Sequence, residues 1–132
     1  MLNLQVIVKR MGPHRQVGNV RSQHITIVQE DEQELGVRSE ELWLMALASG
    51  VGAEMERYAE EQGWSLSALQ VEAQDERNDE GIVMDIKLYV TAEGLTAPQR
   101  GEMFGAVRPR CGLLRAVHPN LEIYFADRLV QD

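Results

Sequence analysis

The sequence predicts an α+β fold, with antiparallel strands around one long, buried central helix. Two observations carry that prediction. Segments of apolar/polar alternation stand on both sides of a stretch with helical character, and within that stretch, from Leu42 to Ala53, Ser49 is the only polar side chain. A surface helix would show a stripe; a helix apolar on every side has to be covered on several.

Taken in order, Leu2, Leu4, Val6 and Val8 share one face of a first strand, opposite Asn3, Gln5 and Lys9, and Gly12-Pro13 punctuates it. A second extended segment runs from about Val17 to Val28, where Ile25 and Ile27 alternate with His24 and Thr26. Glu30-Asp31-Glu32-Gln33-Glu34 reads as a solvated acidic connector. The long helix opens at Ser39, a good N-cap, with Glu40 and Glu41 at the positive end of the dipole. It runs to Gln62 and stops at Gly63. Ala46, Ser49, Gly50 and Ala53 fall on one face, where another backbone can approach closely.

A hairpin follows. Leu69, Val71 and Ala73 form one apolar row, Asn78-Asp79-Glu80-Gly81 turns the chain, and Ile82, Met84, Ile86, Leu88 and Val90 form the next. One face is expected to be buried and the other mostly wet, as in an antiparallel sheet. A second helical region starts near Thr96-Ala97-Pro98-Gln99 and is expected to break at Arg108-Pro109. Proline disfavours helix in the residue before it and suits the first position of a new one, so Pro109 to Val117 reads as a separate short helix. Leu121, Ile123 and Phe125 form a last strand.

At 132 residues the chain fits one domain, taken as 1–132. A chain this short can hardly cover an all-apolar helix with its own strands. A second copy would supply the cover, which implies an obligate homodimer with an interface of roughly 2,000 Å² or more.

Hydrophobic residues make up 44% and charged residues 26%, an ordinary globular composition that sets disorder aside. A formal charge of −8 with no basic run argues against nucleic acid and anionic membrane as partners. Cys111 is the only cysteine, so no disulfide forms within the chain, and the expected location is the cytoplasm. The N-terminus alternates like a strand and its charges follow its apolar residues, unlike a signal peptide. The longest apolar run falls short of the roughly 20 residues a membrane helix needs.

For chemistry the chain offers one thiol. Cys111 is expected in the first turn of the short helix, beside Arg110 and near Arg108, where N–H groups and guanidinium charge would favour a thiolate. The plain alternative is a small buried hydrophobe. Glu41 could orient an arginine or a polar substrate, or serve only as a first-turn carboxylate worth under about 1 kcal/mol. His14, His24 and His118 have no metal-binding companions, Gly50-Val51-Gly52 lies mid-helix rather than in a phosphate loop, and no G-x-S-x-G elbow occurs. No metal or cofactor is expected. Trp43, Met45 and Met55 read most simply as core residues.

At this point the pattern resembles a known family, the OsmC/Ohr proteins (osmotically induced protein C and organic hydroperoxide resistance protein). Gly36-Val37-Arg38-Ser39-Glu40-Glu41-Leu42 leading into Ala46-Leu47-Ala48-Ser49-Gly50 is similar to that family's lead-in and buried helix. Tyr58 through Leu66 looks like its helix exit, Gly94-Leu95-Thr96 like the start of its second helical region, and Cys111-Gly112-Leu113 lies where it has Cys-Pro-Val. The resemblance implies an intertwined homodimer with active sites at the subunit interface. It also implies organic hydroperoxide reduction by two cysteines, one attacking and one resolving. Glu41 matches the family's glutamate, whose arginine partner would be Arg10, Arg15 or Arg21. The chain departs from the pattern at the attacking position, which is Gly50, and lacks both prolines of the lead-in. Only the resolving position keeps its sulfur.

The expected function is therefore a non-peroxidatic dimer that binds a small apolar or lipid-like molecule, with glycine leaving extra room in the pocket. The alternatives are a one-cysteine thiol peroxidase using Cys111 in the oxidative stress response, and a structural or regulatory interaction protein.

Overall fold

The structure, a computed structural model, describes residues 4–29 and 35–130. Leu2 and Asn3 of the expected first strand, and the acidic connector, lie outside the described residues. The elements run β1 (Ile7–Gly12), β2 (Arg15–Val20), β3 (Gln23–Val28), α1 (Ser39–Gln62), β4 (Ala68–Arg77), β5 (Val83–Glu93), α2 (Ala97–Arg110), α3 (Gly112–Ala116) and β6 (Glu122–Asp127). The mixed α+β class holds. The chain divides into two compact units, one ending at Trp43 and the other beginning at Leu44.

In the first unit, β1, β2 and β3 form an antiparallel sheet in chain order. The extended segment expected from Val17 to Val28 is thus two strands and a tight turn. Arg21, at the turn, sits at φ 54, in the left-handed region, where glycine or asparagine is the usual signal. With neither residue there, the turn leaves no mark in the sequence. A parallel bridge between Ile27 and Val37 ties the segment before α1 to β3. Val37 N–H donates to Thr26 O at 3.0 Å, and Val28 N–H to Val37 O at 2.9 Å.

The second unit is built on β5, the middle strand of the β4-β5-β6 sheet. β4 pairs with it antiparallel and β6 parallel, so this sheet is mixed rather than antiparallel throughout. The reason lies in the connection: a strand that returns through helices is carried back to the end where its neighbour began. Here α2 and α3 make that crossover. Ile86, Leu88, Val90 and Ala92 line the inner face of β5, against Leu47, Val51 and Met55 of α1 and Met103 and Val107 of α2.

The buried positions of α1 (Leu47, Val51, Met55 and Ala59) recur every four residues and make one stripe. Met55 is core as expected, but Trp43 and Met45 are not: they stand 37% and 49% exposed. Within the second unit α1 turns this stripe to the sheet and α2, and Met45 lies off it. The helix ends as expected. Gly63 takes φ 72, its N–H donates to Glu60 O, and Trp64 N–H donates to Ala59 O, which completes the Schellman pattern.

α2 begins at a capping box in which Thr96 accepts from Gln99 N–H while Gln99 accepts from Thr96 N–H. Contrary to expectation it runs through Pro109 to Arg110. Proline forfeits one helical hydrogen bond, but here only one more helical residue follows, and Cys111 N–H still closes the last turn on Val107 O at 3.0 Å. The break falls at Cys111.

Candidate functional site

The sulfur-bearing residue sits at a joint. Cys111 is at once the C-cap of α2 and the N-cap of α3, with extended backbone at φ −75 and ψ 112. Its carbonyl accepts from Arg115 N–H at 3.0 Å. It therefore precedes the short helix rather than occupying its first turn. Only 2% of the residue is exposed, although Arg110 before it and Gly112 and Leu113 after it are open to solvent. The thiol is shallow in the chain and covered nonetheless.

Across from it, on α1, lies Gly50. A Cβ built there would stand 3.6 Å from Cys111 Sγ. Positions 50 and 111 are thus neighbours. The extra room expected beside Gly50 is not found. Leu113 Cδ1 lies 2.7 Å from that same Cβ position, closer than two carbon atoms can approach, so leucine already occupies the space that glycine vacates.

The flanking arginines have partners of their own. Arg110 donates two parallel hydrogen bonds to Glu61, at 2.8 and 2.7 Å, and its Nε lies 3.8 Å from Glu54. Its guanidinium also stacks over Tyr58, which in turn donates to Glu102. The bond to Arg110 holds the Glu61 carboxyl below its usual value, and the bond to Glu102 holds the Tyr58 hydroxyl above its own. Arg108 lies over the Phe125 ring, 5.0 Å from its centroid. Both charges are spent on fastening α2 to its neighbours.

Glu41 belongs to the first unit. Its Oε1 accepts from Arg38 N–H at 2.8 Å, which is the carboxylate half of a capping box for α1. The helix opens at Ser39 itself, one residue earlier than an N-cap there would require, so Arg38 holds the N-cap position. That capping bond is the simpler of the two roles expected for Glu41. Arg10 and Arg15 stand on β1 and β2, and Arg21 at the turn after β2.

The first unit carries a feature that the sequence reading missed. Val6, Val8, Gly18, Val20, Ile25, Ile27 and Leu42 line an almost wholly apolar groove of about 360 Å³, which Asn19, Gln23 and His24 also border. His24 Nδ1 lies 2.5 Å from Asn19 Oδ1. The signal was present in the apolar alternation at Val6 and Val8 and again at Ile25 and Ile27; the turn that splits the second extended segment into β2 and β3, and brings Gly18 and Val20 beside them, left no mark. Among the described residues no group of three His, Cys, Asp or Glu side chains is placed to hold a metal ion, and no helix is long and apolar enough to cross a membrane.

A three-stranded antiparallel sheet, a long helix and a mixed sheet crossed by two further helices, in that order, define an OsmC-like fold. The OsmC-like protein of Mycoplasma pneumoniae superposes with a TM-score of 0.85 at 16% identity, over 98% of this chain and 99% of that one. The organic hydroperoxide resistance protein OhrB of Bacillus subtilis gives 0.76 at 16% identity, over 96% and 98%. An OsmC-like protein of Vibrio cholerae gives 0.79 at 14%, over 95% and 99%. No curated protein sequence matches the chain. A family model described as OsmC-like protein matches residues 30–125, and the chain belongs to that family.

Proposed function

We propose that this chain is a non-peroxidatic OsmC-like protein. It would act as a single domain over residues 1–132, as a homodimer, and bind a small apolar molecule rather than reduce hydroperoxides. The observation that carries this reading is the pairing of Gly50 with Cys111. Two-thiol peroxide reduction needs a sulfur to attack and a second to resolve, and the position facing the thiol has no side chain. Where the family's chemistry is missing, its scaffold persists.

The groove on the β1-β2-β3 sheet supports the binding role. At about 360 Å³ it falls within the size range of small-molecule sites, and its walls are valine, isoleucine and leucine. A one-cysteine peroxidase is disfavoured because Cys111 is covered and Arg110 is held by Glu61.

Native mass spectrometry after incubation with cell extract tests the binding, with Ile25→Lys as the variant that puts a charge into the groove. A bound small molecule on the wild type, lost in the variant, is expected. A clean unliganded mass across several extracts would overturn the binding role. Catalytic consumption of an alkyl hydroperoxide by the wild type would overturn the rest.

A further inference from the structure

We propose that Leu113 blocks the approach between positions 50 and 111, filling the place beside Cys111 that a side chain on position 50 would take. This rests on the non-peroxidatic reading and adds a second position to it. The argument is one of shared volume. Leu113 Cδ1 at 2.7 Å and Cys111 Sγ at 3.6 Å both reach the point where a side chain on Gly50 would begin. Leucine and thiol therefore meet over bare backbone. Leu113 is the second residue of α3 and is 45% exposed, while the sulfur beneath is 2% exposed.

The arrangement has a consequence for any attempt to restore chemistry. A sulfur introduced by Gly50→Cys would have the right neighbour in Cys111 and the wrong one in Leu113. It could reach Cys111 only after the leucine had swung away, and an organic peroxide would need that same opening. Truncating Leu113 removes both obstacles. The overall oxidation is balanced by a named oxidant, an alkyl hydroperoxide: its O–O bond breaks, the two thiols lose two electrons and two protons, an S–S bond forms, and one alcohol and one water leave.

The test compares Gly50→Cys alone with Gly50→Cys combined with Leu113→Ala, each treated with one equivalent of cumene hydroperoxide. Intact mass and free-thiol titration follow disulfide formation. The combined variant should close the bond at least about tenfold faster than the single one, a difference of about 1.4 kcal/mol in barrier. Adding Cys111→Ser should abolish the product. Leu113→Val, which lacks the δ carbons but keeps a branched side chain, should give an intermediate rate, and it reads the same quantity should the alanine variant fail to fold. Equal rates with leucine, valine or alanine at position 113 would overturn the proposal. Peroxide turnover by the wild type is measured separately, so failure of the non-peroxidatic reading is distinguishable from failure of this one.

Discussion

Arg100 is the one charged residue buried among the described residues, and its surroundings explain why it is tolerated. Its Nε donates to Asp127 Oδ2 and its Nη1 to Leu95 O, both at 2.7 Å. The pair, with side chains 9% and 13% exposed, ties the start of α2 to the end of β6. Removing one partner of a buried pair strands the other, at a cost of roughly 3–5 kcal/mol. Arg100→Ala should therefore lower the urea midpoint strongly, and an unchanged midpoint would show that the pair is incidental. The Arg110–Glu61 pair is exposed and behaves differently. Because Arg110 lowers the Glu61 carboxyl in the fold, the pair stabilises fully above the unfolded-chain carboxylate range, and its contribution fades as pH falls through the lowered value. Glu61→Gln cannot titrate. Urea midpoints from about pH 7 to about pH 3 should fall less steeply for that variant than for the wild type. Parallel curves would remove Glu61 from the acid limb. At this scale the sequence spoke only of isolated residues. Cys111 and Gly50 stood out in it, but Leu113 did not, because nothing local to Leu113 reports a contact with a distant turn of α1.

Elements whose ends are set by local chemistry were legible. Gly63 stops α1 through its own left-handed backbone, and Thr96 with Gln99 starts α2 through two hydrogen bonds within four residues. Elements whose ends are set by distant partners were not. The β2–β3 turn at Arg21 has no glycine to announce it, and the direction of β6 follows from where the crossover delivers the chain, which alternation alone does not encode. Pro109 belongs with them, because whether α2 continues through it depends on the packing of the helix, whose Met103 and Val107 lie in the core, and not on one residue's backbone preference. The link between β5 and α2 gives a test at this scale. Gly94 adopts φ 97, and a Cβ there would meet Ser65 O at 2.3 Å. Both the backbone conformation and the backbone neighbour refuse a side chain. Gly94→Ala should destabilise by more than about 1 kcal/mol, against the gain usual where alanine fits. A neutral or stabilising result in thermal unfolding would mean that the link relaxes freely.

For the molecule as a whole, the two units leave different faces undressed. In the first, Val6, Ile7, Val8 and Met11 of the N-terminal strand region are all exposed, so apolar side chains stand on both faces of one edge strand. In the second, α1 buries the stripe Leu47, Val51, Met55 and Ala59 and turns Met45 and Ser49 to the opposite side. Water is a poor partner for such surfaces, and the proposed homodimer would cover them. A second copy would cover the open side of a helix that the sequence made apolar all round, and it would do so symmetrically. The expectation is a particle of twice the 14.9 kDa chain in analytical ultracentrifugation at micromolar concentration. Met45 is the residue on which to test it. It is 49% exposed in the single chain, so Met45→Glu removes little from the chain's own core, yet a carboxylate there would have to be desolvated against the partner. The variant should sediment as a 14.9 kDa species with its secondary structure intact by far-UV circular dichroism. A wild type that sediments at the mass of one chain would sink the dimer outright, and a variant that stays paired would move the interface away from α1 to the strands of the first unit.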